Sequence, residues 1–376
     1  MTVSVVRALG LVARQAAHAA DPTADPALDP TADPAAGAVA GPATDPSRCR
    51  ACGHTEAVLA ERGEGVVVRH GKAVAKAHAD GTDPADHRVR LAVAAHPRLT
   101  GILLPPLPPA PVHAGTVRGR PVTAWPYGSP VDPADPDAAP WEQAGGLVAR
   151  LHSVPLETIR AAVRTTGGLP PMRGPAKAAR AVARLRAAGP HPAAGPVLRA
   201  WERLPAWARD EAPSPGPGTL CHGDLHLGQL VRHPAPDGPW LLIDVDDLGI
   251  GDPAWDLARP AAWYAAGLLP PEIWQRFLGA YRAARGPAVP STAAVPTTAA
   301  VPTTTGPDPG PDPAEYPDPW PRLDVPARAL TVQTAALAIA KSVAEDRDLD
   351  EVEHLMIDAC GRIASLPPQL EPPRSS

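Results

Sequence analysis

Three polar side chains at short intervals carry the chemistry legible in this chain. Asp224 follows His222 and Gly223, Gln229 lies five residues beyond it, and Asp244 lies twenty beyond it. Leu220 and Cys221 precede the first acid, so a short strand can end there. The apolar run 240–243 leads straight into Asp244, placing that acid at the mouth of a buried strand. Two carboxylates and an amide oxygen so arranged suit one task, holding metal ions and a hydroxyl against a nucleotide phosphate. Phosphoryl transfer needs positioning and charge stabilisation more than covalent work. Asp224 suits the orientation of a hydroxyl and acceptance of its proton. Asp244 and Gln229 offer the hard oxygen ligands that magnesium prefers.

The composition bounds what surrounds these residues. A length of 376 residues with 44% apolar content allows two domains or one two-lobed domain. A net charge of -5, spread along the chain, argues against nucleic acid as a partner. No apolar stretch reaches the roughly 18 residues of a membrane span, so no membrane partner is expected. The N-terminal apolar run is short and broken by Arg7 and Arg14, unlike a secretory signal, and a cytoplasmic protein is expected. On a helix Val5, Leu9 and Val12 would share one face, yet a frayed terminus is the expectation. Four cysteines are too few and too scattered for a disulfide scaffold. Cys49, Cys52 and His54 form a C-x2-C-x-H group, half of a zinc pattern. With no second cysteine pair nearby, structural thiols are expected there rather than a metal.

The elements that must position the site follow from periodicity and punctuation. The 53 prolines cluster, and the DPTADPA-like repeats of 20–47 read as a disordered linker. Residues 66–78 read as two strands around a His70-Gly71-Lys72 turn. The second strand sets Val74, Lys76 and His78 on one face and three alanines on the other. A helix is expected over 84–96, and further strands over 101–104 and 121–125. WPYGSPVDP, 125–133, reads as a hinge. Helices are expected over about 141–154, 175–188, 195–210, 270–285, 326–346 and 350–365, the last with Val352, Leu355, Met356, Ala359 and Ile363 on its apolar face. A Val-Pro-Thr-rich insertion, 286–321, interrupts the helical part and is expected to be disordered. Lysine is scarce: Lys72, Lys76, Lys177 and Lys341 are the only four.

HGDLHLGQ at 222–229 and LLIDVDDLGIGDPAWDLA at 241–258 resemble the two signature blocks of the aminoglycoside phosphotransferase superfamily. That superfamily includes choline and ethanolamine kinases, maltokinases and homoserine kinases. Its fold is α+β and two-lobed, protein-kinase-like, with a small antiparallel-sheet N-lobe and a larger, mostly helical C-lobe. The resemblance implies Asp224 as catalytic base, Asp244 as principal magnesium ligand, and Gln229 in the metal-binding position usually held by asparagine. Asp252 and Asp256 match the tail of the second block, where helix capping is expected. Asp246 and Asp247 are expected to be solvated turn residues. AVAK at 73–76 resembles the strand carrying the nucleotide-phosphate lysine, which makes Lys76 that lysine, with Asp86 where its helix partner would be. The phosphate-cradling loop falls at Gly63 and Gly65, and Trp125 and Tyr127 lie in the hinge whose backbone would bind adenine.

The implied domains are 1–47, an N-terminal segment and linker; 48–128, the N-lobe and hinge; and 129–376, the C-lobe. The implied function is that of a small-molecule kinase, with ATP and Mg2+ as cofactors. It would transfer the γ-phosphate to a hydroxyl of a sugar, an aminoglycoside or a similar metabolite. The form of the first block is nearest the maltokinase-like version, which favours a sugar. The alternative is a non-catalytic kinase-fold protein that binds nucleotide or ligand. A protein kinase is disfavoured, because no activation segment separates Asp244 from the GDPAWDLA helix.

Overall fold

The structure, a computed structural model, describes residues 2–20, 48–49, 51–62, 65–108, 116–164, 166–216, 218–289 and 317–366. Gly63, nearly all of the expected linker at 20–47 and most of the expected insertion at 286–321 lie outside the described residues. In chain order come α1 (Thr2–Ala20), β1 (Glu56–Arg62), β2 (Gly65–His70), β3 (Ala73–Ala77), α2 (Pro84–Ala94), β4 (Thr116–Val117), β5 (Arg120–Pro126) and β6 (Ser129–Pro130). Next are α3 (Trp141–His152), α4 (Leu156–Val163), α5 (Gly174–Ala187), α6 (Ala194–Glu202), β7 (Thr219–Cys221), β8 (Leu230–Arg232), β9 (Trp240–Leu242) and β10 (Gly249–Gly251). The last four helices are α7 (Ala254–Ala265), α8 (Pro271–Ala283), α9 (Trp320–Glu345) and α10 (Glu351–Ser365). Two compact units result. One comprises Met1–Val131, Ile159–Gly168 and Leu230–Ile243, and the other Asp132–Thr158, Leu169–Gln229 and Asp244–Ser376.

The first unit is built on an antiparallel sheet of order β1-β2-β3-β5-β4. Strand alternation buries Val66 and Val68 on β2 and Ala73, Ala75 and Ala77 on β3. The alanines leave room for a helix to approach, and α1 fills it. Val5, Leu9, Val12 and Ala13 pack on Val66, Val68, Ala75 and Ala77. The N-terminus is therefore a docked helix rather than a frayed end. An isolated helix of this length is marginal in water, but each buried Val or Leu adds about 1.5–3 kcal/mol. Asp83 caps α2 by accepting the Ala85 and Asp86 N–H groups, with Pro84 first in the helix.

The expected strand at 101–104 forms no part of that sheet. Leu103 makes an isolated parallel bridge to Leu242, and the Leu104 N–H donates to the Leu242 carbonyl. Pro105, Pro106 and Pro108 follow at once and lack the N–H groups that a longer ladder would need. The segment instead flanks the three-stranded sheet β6-β8-β9, where Leu104, Val231 and Leu241 form a small core with Ile243 against it.

The second unit is mostly helical, with α3 packed on α8, α7 and α5 on α9, and α10 on α9 and α6. Gly145 permits the close approach of α3 to α8, since a Cβ there would overlap the Phe277 carbonyl oxygen. The helix expected over 195–210 stops at Glu202, because Pro205 disfavours helix before it; Ala206–Arg209 forms a separate single turn. The final long helix begins at Trp320, earlier than expected. Pro321 fits its first turn, where a missing N–H costs nothing. A reciprocal Asp350–Glu353 capping box starts α10, whose Met356 and Ala359 are buried while Val352 is exposed. Among the described residues no helix is long and apolar enough to cross a membrane.

Candidate active site

A two-stranded ladder organises the site in the second unit. In it β7 pairs antiparallel with β10, Cys221 facing Gly249 and Thr219 facing Gly251. That register places the turn leaving β7 (His222, Gly223, Asp224) beside the turn entering β10 (Asp246, Asp247, Leu248). Gly223 has a φ of +85° and a Cβ there would overlap the Asp247 carbonyl oxygen, so only glycine lets the two turns meet.

Asp256, from the first turn of α7, locks the β7 turn in place. Its carboxylate accepts the backbone N–H of His222 at 2.6 Å and that of Gly223 at 2.7 Å. His152 of α3 adds a third bond through Nε2 at 2.9 Å. The Tyr281 hydroxyl, which accepts the Ala288 N–H, lies 2.8 Å from His152 Nδ1, leaving the Nε2–H to face Asp256. Asp256 is fully buried. Burial opposes its charge, but the hydrogen bonds from His152 and from the His222 backbone hold its pKa below the usual carboxylate value. Its role thus exceeds the helix capping expected from the sequence. Asp252 does cap, accepting the Ala254 N–H at 3.0 Å.

Asp224 emerges from this locked turn into a cluster of charges. Arg259 Nη2 of α7 meets its Oδ1 at 2.7 Å, and Lys177 Nζ of α5 meets its Oδ2 at 2.7 Å. Lys177 also reaches Asp247 Oδ2 at 2.7 Å, and Arg173 lies 3.5 Å from the other Asp247 oxygen. Against the opposing effect of burial, Lys177 and then Arg259 hold the Asp224 carboxyl well below its ordinary range. Burial likewise disfavours the Lys177 ammonium, but Asp247 and Asp224 raise its pKa above that of an ordinary lysine. Asp247 is therefore an ion-paired, largely buried group and not the solvated turn residue expected. The placement of Lys177 has a backbone cause: residues just before α5 lace onto β10, with Ile250 N–H donating to Pro170 O and Met172 N–H to Ile250 O. Lys177 then lies one turn into the helix that starts there.

Gln229 and Asp244 are brought to one end of a hairpin. Leu230 at the start of β8 faces Leu242 at the end of β9, so Gln229 and Ile243 follow just outside that pair, and Asp244 comes one residue beyond Ile243. Gln229 is buried. Asp244 adopts a left-handed backbone, φ +63°, and its carboxylate receives the Asp246 N–H at 3.4 Å.

The remaining sequence candidates belong to the first unit. Lys76 lies on β3 opposite Thr123 of β5 and Val67 of β2. Gly65 opens β2, and a Cβ on it would lie 3.7 Å from the Lys76 Cε. Asp86 sits 3.8 Å from Arg90 on its own helix. The Trp125 indole N–H donates to Thr123 Oγ1 at 2.8 Å, inside the sheet. Both Tyr127 backbone groups are engaged within the unit, the N–H with the Lys72 carbonyl at 2.7 Å and the carbonyl with His233 Nδ1 at 3.1 Å. The Tyr127 ring lies under the Arg69 guanidinium, 3.4 Å from its centroid.

A small cleft opens beside Asp224, lined also by Gly174, Trp255, Arg259, Leu330 and Gln333. Trp255 Nε1 and Arg259 Nε are buried without a hydrogen-bond partner among the described residues. Lys177 and Arg259 were not singled out from the sequence. The scarcity of lysine was the available signal for the first, and adjacency to the GDPAWDLA block for the second.

His226, in the same turn, makes a measurable pH signature. Burial, Arg259, His222 and Lys177 lower its pKa from 6.5 to about 4, with Asp224 opposing, and its Nδ1 accepts the Gly228 N–H at 3.0 Å. The unfolded chain binds this proton below pH 6.5 while the folded chain resists it until about pH 4, so stability is complete above 6.5 and falls between the two values. Between pH 7 and 5 the wild type should lose about 2 kcal/mol more unfolding free energy than His226→Gln. Equal pH slopes in urea denaturation would refute this.

Comparison with known proteins supplies a family. Residues 58–295, more than half of the chain, match the phosphotransferase enzyme family. No curated protein sequence matches. Among solved structures, a thermostable mutant of aminoglycoside phosphotransferase APH(4)-Ia in its apo form is 13% identical, covering 83% of this chain and 96% of that chain at a TM-score of 0.51. Amicoumacin kinase hAmiN, solved with AMP-PNP, Ca2+ and Ami, is 15% identical over 82% of this chain and 87% of its own, at a TM-score of 0.50. Macrolide 2'-phosphotransferase MphH from Brachybacterium faecium is 18% identical over 84% and 94%, at 0.42. The shared fold is the α+β, protein-kinase-like one expected from the sequence. On the extent of the family match, this chain belongs to the phosphotransferase enzyme family, here called APH.

Proposed function

We propose that the chain transfers the γ-phosphoryl group of ATP to a hydroxyl of a small molecule such as a sugar or an aminoglycoside-like metabolite. The observation that carries this is Asp224, an ionised carboxylate on a turn locked by Asp256 and lining a small cleft together with Trp255 and Arg259. An acid held this firmly ionised is a weak base, so its main work is to orient the acceptor hydroxyl. It takes the proton late, as suits a loose phosphoryl-transfer transition state. Lys177, shared by Asp224 and Asp247, offsets negative charge on the arriving phosphoryl oxygens.

Magnesium suits the donor set, since Asp244 and Gln229 supply hard oxygens at the same end of one hairpin. When bound it would neutralise the nucleotide phosphates. Lys76 is proposed to steady those phosphates, Gly63 and Gly65 to form the loop over them, and the hinge at Trp125 and Tyr127 to border adenine. With both Tyr127 backbone groups already engaged, that residue would contribute by packing. On this reading residues 48–128 are the N-lobe and 129–376 the C-lobe. The two unpartnered donors on Trp255 and Arg259 support a polar acceptor.

A second reading, nucleotide binding without catalysis, draws on the occupation of both Asp224 oxygens by cations. A coupled ATP-consumption screen over sugars, aminoglycosides, amino alcohols and hydroxy amino acids separates the two. Magnesium-dependent turnover with one acceptor class supports transfer, whereas magnesium-dependent ATP binding with no turnover on any acceptor supports the second reading.

A further inference from the structure

The phosphotransferase reading leaves Cys49 and Cys52 unused. They lie in a tight reversal of the chain in the first unit. The Gly53 N–H donates to the Cys49 carbonyl at 2.8 Å, the Cys49 N–H donates to the His54 carbonyl at 2.8 Å, and Arg48 bridges to Thr55. Gly53, at φ +71°, takes the left-handed conformation that closes the turn. Two imidazoles from elsewhere in the chain meet the two sulfurs. His18 Nε2, from the last turn of α1, lies 3.6 Å from Cys49 Sγ. His70 Nε2, at the end of β2, lies 3.1 Å from Cys52 Sγ. One ligand atom from each of the four residues falls within 4.8 Å of every other, and Cys49 and His70 are buried. All four cysteines of the chain are free thiols.

We infer that His18, Cys49, Cys52 and His70 bind a structural zinc ion. Zinc bonds of about 2.3 Å to sulfur and 2.0–2.1 Å to nitrogen give tetrahedral edges of roughly 3.3–3.8 Å, and the His18–Cys49 and His70–Cys52 contacts, at 3.6 Å and 3.1 Å, stand near that range. Thiols are weak hydrogen-bond partners, so a buried imidazole facing one is poorly satisfied unless a metal stands between them. Two thiolates and two neutral imidazoles complete the four-coordinate shell and leave no open position, which marks a structural rather than a catalytic ion. Both thiols release their protons on binding. His54, the third member of the C-x2-C-x-H pattern, is not in the set; its ring lies edge-on to that of His70, 6.2 Å away between centroids. The ligands that the sequence lacked as a second cysteine pair are histidines, separated from their nearest cysteines by 31 and 18 positions.

The ion would tie the last turn of α1 to the edge of the sheet that this helix covers. Without it, the described packing of α1 on the sheet is that of its apolar face. The full chain, purified with reductant and without chelator, is expected to carry one equivalent of zinc by elemental mass spectrometry. Cys49→Ser and His18→Gln should each lower occupancy at least about tenfold, while Cys360→Ser, in the other unit and outside the cluster, keeps it. Replacing zinc by cobalt(II) in the wild type should give the visible bands of a tetrahedral ion and thiolate-to-cobalt charge transfer. This measurement needs no variant to fold. A reduced wild type that takes up neither zinc nor cobalt, or a Cys49→Ser variant with full occupancy, overturns the site. So does a Cys49–Cys52 disulfide found by peptide mapping in protein purified from a reducing cytosol.

Discussion

Asp224→Asn is expected to lower kcat about 10³-fold while leaving KM for ATP within about threefold. The substitution keeps the shape of the side chain but removes its charge. The hydroxyl then loses the acceptor that aims it and finally takes its proton. Lys177 keeps a partner in Asp247, 2.7 Å away, so the cluster is not stripped of all balancing charge. Arg259 loses its ionic contact and turns more fully toward the cleft. Because Asp224 is held well below the ordinary carboxylate range by Lys177 and Arg259, it stays ionised across the working pH range, and the effect should be nearly pH-independent above about pH 5. Steady-state kinetics with the best acceptor, at pH 6 and pH 8, check both statements. Turnover within tenfold of wild type at either pH would remove Asp224 from its proposed role.

The second large effect falls on Asp256, and there the loss is one of structure first. Asp256→Ala should reduce unfolding free energy by about 3–5 kcal/mol. It leaves the His222 and Gly223 N–H groups and His152 Nε2 facing a cavity with no acceptor, at a fully buried position. Each orphaned buried donor carries a desolvation cost that the native carboxylate removes. Asp256→Asn, which restores one acceptor and no charge, should fall between the two. The acid side gives an independent check. The pKa of Asp256 is lowered on folding, so its contribution is complete above about pH 4, the unfolded carboxylate range, and is lost as pH falls through the folded value. Urea denaturation at pH 7 measures the first effect, and a loss below about 1 kcal/mol would show that the turn does not depend on this anchor. Since the same bonds fix Asp224, the alanine variant should also lose turnover even where it remains folded.

Much of the site could be read from local spacing. Asp224 and Asp244 announce themselves because each follows a short apolar strand, and Gln229 by its interval of five from Asp224, patterns that span only a few residues. The lysine strand at 73–77 has the same local logic, and so do the helix faces of the C-terminal half. Errors arose where a local signal competed with proline chemistry, as at 101–104 and near Pro205, or where burial depended on a partner far along the chain. The apolar face of α1 was visible, but its docking depends on the alanines of β3 leaving space for it.

Two short blocks, 222–229 and 241–258, were enough for a resemblance that implies an α+β phosphotransferase, with an acid after HG and a second acid twenty residues on. Folding added what intervals do not encode. Lys177 bonds to Asp247 across 70 positions and Arg259 to Asp224 across 35. Asp247 changes from a surface acid to an ion-paired one, and Asp256 from a cap to the anchor of the turn leaving β7. Two histidines complete what had been half a metal site at Cys49 and Cys52. The physical reason is common to all of these. Secondary structure follows from contacts within a few residues, whereas charge pairing, pKa and metal coordination depend on distances in space, which for this chain are set when β7 meets β10 and α1 meets its sheet.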